Sequence, residues 1–179
     1  CDGAIMMTAS HLPFNRNGMK FFTAQGGLEK QDISDILALA QKDEFPQAPT
    51  PGTIETRDFI SVYAEQLVQT IRQGVNHPEN FDQPLKGLNI VVDAGNGAGG
   101  FYAGQVLEPL GANTTGSQFL EPDGHFPNHV PNPENKAAMA AICSAVKEQK
   151  ADFGIIFDTD VDRGAAVDHH GNELNRNRL

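Results

Sequence analysis

The stretch Phe157-Asp158-Thr159-Asp160-Val161-Asp162-Arg163 sets three carboxylates at every second residue, directly after an apolar run. Carboxylates so spaced, leaving the end of a strand, can wrap one hard cation with oxygen ligands and keep other positions for water or a phosphate oxygen; without a cation they repel. A solvated acidic turn is the plainer alternative, and the tight placement behind Asp-Phe-Gly-Ile-Ile-Phe disfavours it. An EF-hand loop is excluded, because its sixth position holds Arg163 instead of Gly and its twelfth His169 instead of Glu.

A second stretch, Thr8-Ala9-Ser10-His11-Leu12-Pro13, is a short loop with a proline stop. A serine there can accept and donate a phosphoryl group, whose charge of about −1.5 to −2 a cation and an arginine would stabilise. Adjacent Ser10 and His11 do not form a triad, and no GxSxG elbow is present. Taken singly, Ser10 reads as a turn hydroxyl and His11 as a structural imidazole. Lys20, beyond the Asn17-Gly18 turn, is a surface charge or a proton-transfer group.

Asp93-Ala-Gly95-Asn-Gly97-Ala-Gly99-Gly100 follows an apolar run and matches GxGxxG, with Glu121 at the far end of the next segment. A dinucleotide fingerprint would set the Asp93 carboxylate beside a pyrophosphate. The preferred reading is therefore structural: the glycines let the strand turn sharply and the next helix start close to the sheet. In Glu121 to Pro133 the prolines forbid the helix that an i, i+4 metal pair of His125 and His129 requires, leaving a packed, hydrogen-bonded loop. Asp168-His169-His170 precedes Gly171-Asn172 and reads as a hairpin turn.

The elements that must hold these stretches follow from periodicity. Ala4–Met7 is a short apolar run, and Leu28, Ile33, Ile36, Leu37, Leu39 and Ala40 predict a helix fading at Phe45-Pro46. Gln47 to Gly52, rich in proline, predicts a linker. Phe59, Ile60, Tyr63, Ala64, Leu67, Val68 and Ile71 form a helical stripe with a stop at Gly74. Thereafter strands at 88–92, 113–119, 153–157 and 164–167 alternate with helices at 98–110 and 134–149. That alternation predicts an α/β domain, a mixed, mainly parallel sheet flanked by helices.

Composition bounds the function. The 179 residues carry 13 basic against 23 acidic side chains, a net charge of −10, with 39% hydrophobic residues. This acidity argues against nucleic acid as a partner, and the well-mixed apolar content argues against disorder. No run approaches the roughly 20 apolar residues of a membrane span, and no targeting segment is evident; the expectation is a cytoplasmic protein. Cys1 and Cys143 lack metal spacing and read as free thiols. The opening at Cys1, read as lying inside a strand already under way, and the close at Leu179 predict a piece of a longer chain.

Four ordered motifs, TASHLP with NGMK, VVDAGNGAGG, PDGHFPNHVPNPEN and FDTDVDR, together resemble the alpha-D-phosphohexomutase superfamily of phosphoglucomutases and phosphomannomutases over nearly the whole chain. The resemblance implies the end of a first domain (1–50) with the phosphoserine loop, a second domain (55–174) with the metal loop, and the start of a third (175–179). It implies Ser10 as the phosphorylated serine, and Mg²⁺ held by Asp158, Asp160 and Asp162 together with the phosphorylated Ser10. Arg163 is implied as partner of the serine phosphate, and His11 and Lys20 as active-site groups. The implied reaction moves phosphate between O1 and O6 of a hexose phosphate through a hexose bisphosphate, with third and fourth domains of the same chain completing the site. The piece alone is expected to bind Mg²⁺ weakly and turn over little. Leu12 stands where the family commonly has Asn, and Thr159 and Val161 where it has Gly. Three other readings compete: a haloacid-dehalogenase-like aspartyl-phosphate enzyme, which FDTDVD nearly fits, an NAD-binding Rossmann protein, and a non-catalytic binding module of the same fold.

Overall fold

The structure, a computed structural model, describes residues 1–10, 12–43, 45 and 48–174. His11, two positions of the predicted linker boundary (Pro46 and Gln47) and the 175–179 segment lie outside the described residues. The chain forms two compact units, Cys1–Ala9 with Asn15–Arg57, and Ser10–Phe14 with Asp58–Leu179.

In the first unit, β1 (Gly3–Met7), β2 (Met19–Thr23) and β3 (Gly26–Gly27) form an antiparallel sheet in that order. β1 pairs with β2 in the register Met7↔Met19 and Met6↔Lys20. Thr8 N–H donates to Gly18 O at 3.1 Å, closing the ladder where Asn17-Gly18 had signalled only a turn. The sequence reading missed β2, whose apolar residues Met19, Phe21 and Phe22 end in two adjacent phenylalanines that break the alternation. Helix α1 (Lys30–Lys42) starts where the Asp32 carboxylate accepts the Glu29 N–H at 2.9 Å and stops at Asp43 in the left-handed conformation, φ 53°.

The second unit holds α2 (Ile60–Val75), β4 (Ile90–Asp93), α3 (Lys136–Gln149), β5 (Phe153–Phe157) and β6 (Gly164–Asp168). Its sheet is mixed, in the order β4-β5-β6: β4 runs parallel to β5, with Asp93 opposite Ile156, and β6 antiparallel to β5, with Gly164 opposite Phe157. One face buries Val91, Ile156 and Val167 against Ala138, Ile142 and Val146 of α3. The other buries Val92 against Ala103 and Leu107, and α2 then covers Val106 and Leu110 with Ala64 and Val68. Burial of these apolar faces, worth about 25 cal/mol per Å², makes the layers stack with the sheet between helices.

Three local expectations are corrected. The helix expected over 98–110 is a 3₁₀ turn (Ala98–Gly100) followed by a π-helix (Tyr102–Leu107). Close packing of Gly99 on Phe157 and Gly100 on Leu120 holds the segment off an α path, and Pro109 denies it one donor. The strand expected over 113–119 is two parallel bridges, Asn89↔Asn113 and Asp93↔Gln118. Between them a turn, with Ser117 N–H donating to Thr114 O at 3.0 Å and Gly116 at φ 91°, interrupts any ladder. Finally, α2 runs through Gly74 and stops at Asn76, φ 45°, whose N–H donates to Arg72 O.

Candidate functional site

The acidic loop begins where β5 ends. Asp158 is fully buried, whereas Asp160 and Asp162 are exposed, and one ligand oxygen from each lies within 4.8 Å of the others. The loop closes on itself through Arg163, whose backbone N–H donates to Asp158 Oδ1 at 3.1 Å and whose Nε–H donates to Oδ2 at 2.9 Å. Arg163 Nη2 also stands 2.7 Å from Asp158 Oδ2. Burial pushes the Asp158 carboxyl up from the ordinary carboxylate range, against the hydrogen bonds from Arg163 that pull it down. The loop gathers three carboxylates, all hard oxygen donors, beside a single guanidinium. That donor set fits a divalent cation of the Mg²⁺ or Ca²⁺ type. Thr159 Oγ1, buried in the same loop, has no hydrogen-bond partner among the described residues.

Val161 adopts φ 65°, a region in which a β-branched side chain is strained. Thr159 does not share it. Of the two positions where the resemblance implies glycine, only 161 takes a left-handed conformation, and it does so with a valine.

Ser10 is the other strained residue here, at φ 53°. Arg163 Nη2 donates to Ser10 Oγ at 3.1 Å. A single guanidinium thus forks between the serine hydroxyl and the buried carboxylate. Strained backbone of this kind gathers where surrounding structure over-determines a functional geometry. Beside Arg163 a cavity of about 250 Å³ is lined by Asn132, Pro133, Glu134, Asp162, Arg163 and Gly164. Of the residues singled out in the sequence, the structure brings together Ser10, Asp158, Asp160, Asp162 and Arg163. Lys20 lies exposed on β2 of the first unit, opposite Met6. His11 falls outside the described residues.

The glycine-rich turn follows β4 as the structural reading expected, but the segment after it is a 3₁₀ turn and a π-helix instead of the expected helix. A Cβ on Gly97 would stand 2.7 Å from Thr159 O, and one on Gly99 2.8 Å from the Phe157 ring. These glycines make room for the acidic loop and β5, and among the described residues the segment directly after the turn is not an α-helix that would present its N-terminus to a pyrophosphate. Asp168 Oδ1 accepts the N–H groups of His170 and Asn172 at 2.9 and 2.8 Å, so Asp168-His169-His170 is the hairpin turn expected of it.

The sequence reading missed one feature, a buried ion pair between Asp93 and His129 with His129 Nε2 3.0 Å from both carboxylate oxygens. Asp93 ends β4 next to β5, whose last residue, Phe157, leads into Asp158, at the edge of an open α/β sheet where sites form. That position was the available signal.

Comparisons with known proteins identify the family. The family model described as phosphoglucomutase/phosphomannomutase, alpha/beta/alpha domain I, matches residues 1–47. The model described as domain II of the same family matches residues 61–171. A phosphoglucomutase of Neisseria gonorrhoeae is 34% identical over 173 residues, covering 96% of this chain and 35% of the relative. A phosphomannomutase of Escherichia coli is 36% identical over 170 residues, covering 90% and 36%. The crystal structure of a phosphoglucomutase/phosphomannomutase family protein from Burkholderia thailandensis superposes with a TM-score of 0.74 at 28% identity, over 99% of this chain and 36% of that one. The chain therefore spans about a third of the length of these relatives. With the serine loop, the acidic loop and the mixed α/β sheet all in the matched segments, the chain belongs to the phosphoglucomutase/phosphomannomutase family.

Proposed function

We propose that this chain is the phosphoserine- and metal-bearing part of a phosphohexomutase. The observation that carries the reading is the fork of Arg163 between Ser10 Oγ and the Asp158 carboxylate. Phosphorylated Ser10 would pass its phosphoryl group to a free hydroxyl of a hexose 1- or 6-phosphate. The P–Oγ bond breaks as the new P–O bond forms, and the sugar hydroxyl gives up its proton to a base, the role proposed for Lys20, with His11 a further active-site group. The resulting hexose bisphosphate, turned end for end, returns its other phosphoryl group to Ser10 Oγ. Arg163 keeps a planar, permanently charged donor on the oxygen that carries and releases the group.

Asp158, Asp160 and Asp162, with the phosphate of Ser10, would hold Mg²⁺, which when bound neutralises charge on the group in transfer. The hexose is recognised, in this reading, by third and fourth domains outside the 179 residues, so the piece alone transfers little. The expected setting is the cytoplasm; among the described residues no helix is long and apolar enough to cross a membrane.

The test is intact mass and peptide mapping of the chain before and after incubation with a hexose bisphosphate and Mg²⁺. An acid-stable phosphate on Ser10 supports the reading. A hydroxylamine-labile phosphate on Asp158 overturns it in favour of an aspartyl-phosphate enzyme. Absence of any label on a full-length chain that still binds Mg²⁺ overturns it in favour of a binding module.

A further inference from the structure

The Asp93–His129 pair lies outside the site just described, yet a continuous set of contacts joins the two. His129 Nδ1 stands 3.0 Å from Val130 O and its Nε2 3.0 Å from both Asp93 oxygens. A carbonyl and a carboxylate only accept, so both ring nitrogens carry protons and the ring is an imidazolium. Asp93 further accepts the Gly95 N–H at 2.9 Å and the Gln118 amide at 2.7 Å. The carboxylate is fully buried and the histidine side chain 5% exposed.

Such a pair is a poor source of stability, because desolvating both charges roughly cancels their attraction. Its contacts point to a different role. Gly95 to Ala98 form the turn after β4, and that turn is clamped on one side by the proline-rich loop: Asn128 Nδ2 donates to Asn96 Oδ1 at 2.7 Å, Asn96 Nδ2 to Glu121 O at 2.9 Å, and the Asp123 N–H to Asn96 O at 2.9 Å. Its other side carries the acidic loop: Ala98 N–H donates to Thr159 O at 2.9 Å, and Gly97 packs so closely on Thr159 that no side chain fits between them. Thr159 stands between two of the three carboxylates.

We propose that His129, acting through Asp93, is a positioning residue for the acidic loop: the ion pair locks the 93–98 turn, and the locked turn sets Thr159 and with it the carboxylates of Asp158 and Asp160. The metal part of this inference rests on the function proposed above; the positioning part does not. Groups that orient ligands from behind typically change metal affinity by about 10- to 100-fold when removed.

The experiment compares the wild-type chain with His129→Phe and with the double variant Asp93→Asn/His129→Phe. Phenylalanine keeps a ring edge-on to Phe119, as His129 is now with ring centroids 5.3 Å apart. The double variant also removes the buried charge that the single one strands, and so keeps the chain folded. Thermal melting, Mn²⁺ binding and amide hydrogen exchange of residues 158–163 are read on each. The expected result is that the double variant recovers thermal stability while Mn²⁺ affinity stays about 10- to 100-fold weak and exchange in 158–163 stays fast. Recovery of affinity and protection together with stability overturns the inference, since the pair would then only keep the domain folded. If the wild-type chain binds no Mn²⁺, the proposed metal function fails, and the exchange data alone decide the positioning claim.

Discussion

Arg163 Nη2 donates to Ser10 Oγ at 3.1 Å across 153 residues of sequence, while the same side chain grips the buried Asp158 carboxylate through Nε at 2.9 Å. Position and charge on Oγ are therefore set by a group that is itself fixed by the acidic loop. Arg163→Lys keeps the positive charge beside Asp158 but cannot fork. The rate of Ser10 phosphorylation from a hexose bisphosphate, followed by peptide mass, should drop on the order of 100-fold, with little change in thermal midpoint.

Metal should stabilise the second unit through mass action on the folded state alone. Mg²⁺ or Mn²⁺ is expected to raise the wild-type melting temperature. In Asp160→Asn the rise should vanish while the metal-free melting temperature stays unchanged or increases, because an exposed carboxylate is removed from a cluster of like charges. Equal loss of metal-free stability and metal response would count against a ligand role for Asp160.

Hydrogen bonding to Asp93 raises the His129 pKa above its ordinary 6.5, against the opposing effect of burial. The folded state thus binds a proton more tightly than the unfolded one. The pair's contribution is complete below about pH 6.5 and is lost as pH rises through the raised folded value. Urea unfolding between pH 6 and 9 should show this decline in the wild type and a flatter profile in the Asp93→Asn/His129→Phe variant.

Val161→Gly should stabilise the chain. Relief of a left-handed, β-branched residue is worth about 1–2 kcal/mol, partly offset by about 0.5–1 kcal/mol of extra chain entropy for glycine. A net gain of roughly 0.5–1 kcal/mol is expected in denaturant titration, with a slower chevron unfolding limb if the loop forms late.

Two nearby glycines separate close approach from open space. A Cβ on Gly100 would run into Leu120 O, whereas one on Gly104 meets nothing within 4 Å. Gly100→Ala should cost about 2 kcal/mol or more, and Gly104→Ala should be neutral or stabilising by up to about 1 kcal/mol; equilibrium unfolding of both variants checks the contrast.

How much of this was visible in the sequence depended on distance along the chain. The acidic loop was legible because its three carboxylates and Arg163 lie within six consecutive residues, so spacing and geometry are nearly the same statement. The helices at 60–75 and 136–149 were legible because a buried face writes a 3.6-residue stripe, and the one at 30–42 because its apolar residues keep the same spacing although none of them is buried. The 98–110 segment misled because its path is decided by what Gly99 and Gly100 touch, Phe157 and Leu120, which no local pattern records. Asp93 and His129 lie 36 residues apart, each in a stretch with its own local explanation, so nothing marked them as partners. Ser10 and Arg163 were associated only because four motifs occurred in a family's order.

Residues 10–14 group with the second unit although the chain on either side of them groups with the first. That interleaving has a consequence for heredity. The unpatterned stretch before α2 is where an exchange between two related genes would do least damage to helices and strands. A crossover there, however, would unite one parent's serine with the other parent's arginine and carboxylates. Ser10 and Arg163 can drift safely only in step, and chimaeras cut at that seam should stay folded yet lose phosphoryl acceptance whenever the two parents differ at these positions.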